Sequence, residues 1–265
     1  MDFSLDRQAL QAGHRLEVLG TVGSTNAVAL DAVGQGVQEC WFVSREQTAG
    51  RGRRGRVWQT QVGNLAATFL CGLEAGARGA ETLGFVAGVA LMEALLDLPL
   101  CTETHMGLKW PNDVLAAGKK LAGILLEARS GADGGLAIAV GVGVNVTSAP
   151  TGLPYPATCL AEMGADVDAG DVFLPLSARW ATNLQLWDGG AGSAAILEKW
   201  RSHALGLGGP VSVETPRGRI SGVLAGIDER GHMVIGMDNG RQEVVSAGDV
   251  QFSISASSHQ HDASA

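Results

Sequence analysis

The chain has 265 residues, 19 Lys+Arg against 27 Asp+Glu and a formal net charge of −8, with 46% hydrophobic and 17% charged residues. That is enough apolar chain for one or two globular domains, and it excludes a disordered polypeptide. The acidic balance argues against general coating of nucleic acid or attachment to an anionic membrane, while leaving room for a local basic site.

Arg15–Leu19 reads as a first strand. Ser24, Thr25 and Asn26 offer caps for a short helix through Ala32 that stops near Gly34 and Gly36. Cys40–Ser44 is a strand, Gln47–Val62 a loop rich in glycine and arginine, and Asn64–Cys71 a strand. Glu81–Asp97 has helical periodicity, with Leu83, Val86, Ala87, Ala90, Leu91, Ala94 and Leu95 on one face. Gly107–Trp110 and Val114–Ala116 are short strands. The latter forms a hairpin with Lys119–Glu127 across Ala117-Gly118. Leu136–Val146 suits a central strand, and Asp171–Trp187 and Ser193–Leu205 read as helices.

After Gly206 the pattern changes to short strands: Val211–Glu214, Gly218–Ile227, Met233–Asp238, Gln242–Val245 and Val250–Phe252. Glycine-bearing turns separate them, as in a small barrel. The four cysteines, Cys40, Cys71, Cys101 and Cys159, contain no CxxC pair and read as reduced buried thiols of a cytoplasmic protein. The N-terminus lacks an apolar signal core, and Leu83 to Met92, the most apolar run, is too short to span a bilayer.

Four segments carry candidate chemistry. In Gln47–Arg56, Arg51, Arg53, Arg54 and Arg56 are interspersed with glycines that let several guanidiniums wrap one anion. A solvated basic loop is the plain alternative. Gly50, Gly52 and Gly55 also fit a dinucleotide fingerprint, but the residues that follow have no apolar helical face to build its helix. An arginine-rich RNA-binding segment is a third reading, with only Trp58 nearby to stack on a base.

In the second segment, Lys120 enters the buried-looking strand LAGILLE beside Gly123. From there its ammonium can meet a carboxylate or phosphate. Asp113 can orient that ammonium or hold a metal, and Trp110-Pro111 forms a bulky wall. Third, Ser24, Thr25 and Asn26 either cap a helix or present donors to a polar heterocycle. Last, Gly141-Val142-Gly143-Val144-Asn145 offers small residues against which a ligand can lie.

Each motif is weak singly. In order, GSTN, QTAGRGRRGRVW, KWPNDV, KLAGILLE and GVGVNV resemble the biotin protein ligases (biotin–[acetyl-CoA-carboxylase] ligases), from about Arg15 to Phe252. The resemblance implies an α+β fold. A mixed sheet with helices, like a class II aminoacyl-tRNA synthetase core, is expected over 1–206. A small SH3-like β-barrel is expected over 207–253, and a disordered tail over 254–265. The short N-terminus marks the form without a DNA-binding domain, so neither DNA nor a membrane is an expected partner.

The resemblance further implies two steps: biotin and ATP give biotinyl-5′-AMP, and biotin then passes to a lysine of a biotin carboxyl carrier protein of acetyl-CoA carboxylase or a related carboxylase. Mg²⁺ is expected with the ATP. Ser24, Thr25, Asn26 and Gln47 are expected at the biotin ring, and Arg51, Gly52 and Arg53 closing over the ligand. Lys120 is expected at the carboxylate and α-phosphate, with Asp113 orienting the incoming lysine or the metal. Trp58 and Trp110 are placed around adenine and the carboxylate, and Gly123 and Asn145 on the nucleotide side. Pairing into a homodimer is compatible with the family. A lipoate-type ligase of the same superfamily and a non-catalytic biotin-responsive binding protein are the alternatives.

Overall fold

A computed structural model describes residues 2–74, 79–100, 105–130, 135–216 and 218–252. Cys101 and the 254–265 tail lie outside the described residues. The chain divides into two units. The first holds Met1–Leu205 with Glu229–Gly231, and the second holds Gly206–Asp228 with His232–Ala265.

The first unit is built on seven strands: β1 (Arg15–Val18), β2 (Cys40–Ser44), β3 (Leu65–Leu73), β4 (Met106–Lys109), β5 (Asp113–Ala116), β6 (Lys119–Ser130) and β7 (Leu136–Val144). They form one sheet in the order β1-β2-β3-β7-β6-β5-β4, in which β1 runs parallel to β2 and the remaining pairs are antiparallel. β7 lies centrally, as its run of small and branched residues suggests. The β5–β6 turn places Ala117 at φ 47° and Gly118 at φ 76°, the two left-handed residues that a tight hairpin needs.

Helices cover both faces. α2 (Thr25–Ala32) packs Ala29 and Leu30 against Cys40, Phe42, Leu70 and Ala139 on one face. The opposite face meets α3 (Leu83–Leu96) and α4 (Ala169–Trp187), while α5 (Ser193–Ser202) packs on α3 and α4. There Trp41, Phe69 and Trp180 pack with ring centroids 5.1–5.7 Å apart, contacts each contributing about 0.5–1.5 kcal/mol beyond burial. A short N-terminal helix, α1 (Arg7–Gln11), precedes β1; its five residues are too few to show helical periodicity.

Two expectations are corrected. The 81–97 helix does not bury a single face. Val86, Ala87, Val89, Ala90, Leu91, Ala94 and Leu95 are all fully buried, because sheet and helices enclose α3. The 171–187 helix starts two residues early: Asp168 caps it and receives the backbone N–H of Gly170 and Asp171.

The second unit is a five-stranded antiparallel sheet of β8 (Pro210–Thr215), β9 (Gly218–Ile227), β10 (Met233–Gly236), β11 (Gln242–Val245) and β12 (Asp249–Phe252), in the order β11-β10-β9-β8-β12. Cys40, Cys71 and Cys159 are buried and free.

Candidate functional site

The site lies on the sheet face that carries α2, and glycines form its floor. Gly123 on β6 is the cross-strand partner of Gly143 on β7, and Gly141 pairs with Thr68 of β3. With no Cβ in the way, Trp58 lies against the floor. A Cβ at Gly143 would meet its indole Nε1 at 2.5 Å, and one at Gly123 would meet its Cζ3 at 3.2 Å. A Cβ at Gly141 would collide with the amide of Asn26. Small residues here are a steric requirement for two side chains that arrive from outside the strands.

Lys120 reaches this face through an irregularity. Residues 120 and 123 of a regular strand point to opposite faces. The β5–β6 register shifts at Val114/Leu115: Val114 pairs with Ala122 and Leu115 with Lys120, leaving Leu121 as the extra residue. The bulge brings Lys120 Nζ to 3.5 Å from the position a Gly123 Cβ would occupy. The ammonium lies 2.7 Å from Asp113 Oδ1, with both side chains about four-fifths buried. At that distance the two form a short, charge-assisted ion pair. The ammonium also lies 5.5 Å from the Trp58 ring centroid and 5.4 Å from that of Tyr155, within cation–π range of both.

The arginine segment forms a hairpin. Gly52 N donates to Arg56 O at 2.7 Å, Trp58 N donates to Gly50 O at 2.9 Å, and Arg51 bridges Val57. Gly50 is required at its base, where a Cβ would run into the carbonyl of Trp58. Arg51 pairs with Glu127 at 3.1 Å, and Arg53 donates to Asn112 Oδ1 at 3.2 Å. Arg54 and Arg56 are exposed.

Beside the floor is a buried polar cluster. Gln47 Oε1 accepts from Thr25 N at 2.8 Å and from Thr25 Oγ1 at 3.1 Å, and Gln47 Nε2 donates to Thr60. Thr68 Oγ1 lies 2.8 Å from Thr25 Oγ1 and donates to Asn26 Oδ1 at 2.7 Å. Asn26 Nδ2 donates to Glu127 at 2.9 Å. Two hydroxyl protons therefore serve three oxygen contacts, so the cluster keeps acceptor capacity for a ligand N–H. Ser24 occupies the helix N-cap position without a side-chain capping bond; Gln47 supplies the first-turn acceptor instead.

The structure thus brings together Thr25, Asn26, Gln47, Arg51, Trp58, Asp113, Lys120 and Gly123, with Arg53 beside them on Asn112. Two named residues are committed elsewhere. Trp110 is 3% exposed, and its indole donates to Gly231 O at 2.8 Å. Asn145 is 2% exposed and donates to Thr158 O at 3.0 Å, holding the chain after β7. Sequence reasoning passed over Thr68, Glu127 and Tyr155. The alternation Gly123, Leu125, Glu127 along one strand face would have found Glu127. Thr68 and Tyr155 have no local signal.

A family model described as the Biotin/lipoate A/B protein ligase family matches residues 24–145, and one described as the Biotin protein ligase C terminal domain matches residues 206–253. The chain is 38% identical to a biotin–[acetyl-CoA-carboxylase] ligase of Paracoccus denitrificans over 89% of this chain and 99% of that protein. Identity to the enzyme of the same name from Mycobacterium tuberculosis is 34%, over 93% of each chain. Among solved structures, the biotin protein ligase of Aquifex aeolicus in complex with biotin and ATP is similar with a TM-score of 0.74 and 31% identity, over 90% of this chain and 99% of that one.

Proposed function

The chain belongs to the biotin protein ligases, and from that membership we propose how its residues divide the work. The enzyme activates biotin with ATP and passes it to a lysine of a biotin carboxyl carrier protein. A biotin carboxylate oxygen attacks the α-phosphorus of ATP; the new P–O bond gives biotinyl-5′-AMP, and the bond to pyrophosphate breaks. The lysine amine of the carrier then attacks the acyl carbon, AMP leaves, and the amine loses its proton.

The observation that carries the assignment is a convergence on one glycine-floored sheet face. A fixed ammonium, a guanidinium hairpin and a buried polar cluster with spare acceptor capacity meet there. The cluster of Thr25, Asn26, Gln47 and Thr68 suits the ring amide of biotin. Lys120 is placed for the carboxylate and α-phosphate, where negative charge grows in both steps, and preorganised positive charge is the effective catalyst. Arg51, Gly52 and Arg53 close over the adenylate and keep water from the mixed anhydride. Asp113, paired with Lys120 at the edge of the floor, receives the amine of the carrier lysine. Ser24 and Gly123 complete the biotin side and the floor.

Mg²⁺ comes with the nucleotide. Among the described residues no group of three or more His, Cys, Asp or Glu could hold a metal; arriving with ATP, the ion would neutralise phosphate charge, with Asp113 as the nearby carboxylate that could contribute a ligand. Free buried thiols at Cys40, Cys71 and Cys159 support the reducing cytoplasm as the location. Among the described residues no helix is long and apolar enough to cross a membrane.

The test is incorporation of labelled biotin into a carrier domain with and without ATP, together with pyrophosphate exchange into ATP driven by biotin or by lipoate. Exchange with biotin alone and ATP-dependent labelling of the carrier are expected. Exchange driven by lipoate instead would overturn the assignment.

A further inference from the structure

The inference concerns how Lys120 is held, and it rests on the ligase reading of the site. Two aromatic rings reach its ammonium from different segments: Trp58 from the arginine hairpin, and Tyr155 from the connection after β7. That connection is tied to the backbone of Lys120 itself. Lys120 N donates to Pro156 O at 2.9 Å, and Thr158 N donates to Lys120 O at 3.0 Å. Tyr155 directly precedes the residue so anchored, so its ring is delivered to the ammonium by Lys120's own hydrogen bonds.

A ring face attracts a cation through its quadrupole and engages no N–H in a directed hydrogen bond. An ammonium has three N–H donors, and Asp113, a single carboxylate oxygen 2.7 Å away, occupies no more than one of them. The charge is thereby held in place while the donors not turned to Asp113 stay available to an arriving anion. A carboxylate or amide in place of Tyr155 would engage one of those donors in the ground state. We infer that Tyr155 is a positioning residue for Lys120, acting on the reaction through that ammonium and not by touching the substrate.

Two measurements test this. The first is biotin-dependent pyrophosphate exchange by Tyr155→Leu and Tyr155→Phe. Tyr155→Leu keeps bulk but removes the ring, and kcat should fall about fivefold to twentyfold, with KM for biotin and ATP within about twofold of wild type. Tyr155→Phe should restore kcat to within about twofold. Wild-type kcat in Tyr155→Leu, a phenylalanine variant as slow as the leucine variant, or a loss confined to the KM for ATP would each overturn the inference.

The second needs no turnover. Tyr155 is the chain's single tyrosine, so protein grown on fluorinated tyrosine gives one ring resonance. Lys120→Met should move that resonance in the substrate-free protein, and Lys119→Met, at an exposed neighbour, should not. A resonance indifferent to Lys120→Met would overturn the inference even if the enzyme proved to act on a different acid. Wild-type protein without biotin-driven exchange would overturn the ligase reading and leave the resonance test standing.

Discussion

On β6 and β7 the site residues are held by a sheet ladder. Gly123 and Gly143 are paired in register, and the backbone on either side is bonded to its neighbours. The hairpin that carries Arg51, Arg53 and Trp58 is held instead by backbone bonds within the loop, the Arg53–Asn112 hydrogen bond and an ion pair whose arginine side chain is half exposed. The same face is therefore held by a continuous ladder around Lys120 and by fewer, more exposed bonds at the hairpin proposed to close over the ligand. The difference lies in the number of bonds that must break for each part to move. Trp58 joins the two: its backbone closes the hairpin, and its ring rests on the glycine floor.

If the strands carry the chemistry, the largest effect should come from Lys120→Ala. Biotin-dependent adenylation should fall about 10²- to 10³-fold, the loss expected when one preorganised donor is removed from a developing oxyanion. Biotin affinity, measured by calorimetry, should change little. A rate near wild type would shift the chemistry to the hairpin.

Gly143→Ala attacks the junction. Its methyl would sit about where the indole now lies, and overpacking costs about 1–3 kcal/mol unless Trp58 moves. We expect Trp58 to be displaced, with altered tryptophan fluorescence and adenylation lowered about tenfold, while the melting temperature changes by only a few degrees. Unfolding without loss of rate in the folded fraction would show that the floor is structural only.

The scaffold has a pH dependence of its own. His14 is buried against Phe69 with ring centroids 4.7 Å apart, and burial lowers its pKa from 6.5 to about 4. Between those values the unfolded chain binds the proton and the folded one does not, so stability falls as pH drops from 6.5 towards 4 and levels off below. Urea unfolding at pH 5 should show about 2 kcal/mol less stability than at pH 7 from this group, and His14→Phe should remove that difference. An equal pH dependence in the variant would assign it elsewhere.

Glu127→Gln should have the smallest effect. An exposed ion pair contributes about 0.2–1 kcal/mol, so freeing Arg51 should change the KM for ATP less than fivefold. That change should shrink at high salt, because the wild-type pair is itself screened there. An effect as large as that of Lys120→Ala would make Glu127 part of the chemistry.

Local rules accounted for much of this protein. Strand alternation, glycine-bearing turns and capping residues placed the sheet elements within a few residues, and the order of short motifs pointed to the family. These features are legible because they depend on neighbours one to four positions apart. What only the tertiary structure decided are pairings between residues distant in the chain. A bulge turned Lys120 onto the face of Gly123. Asn26 found Glu127 across 101 positions. Tyr155 arrived beside an ammonium 35 positions earlier in the chain. Trp110, expected beside the ligand, is 3% exposed and gives its indole N–H to Gly231, 121 positions on. No periodicity records such meetings, because they follow from the packing of segments whose separation along the chain is arbitrary.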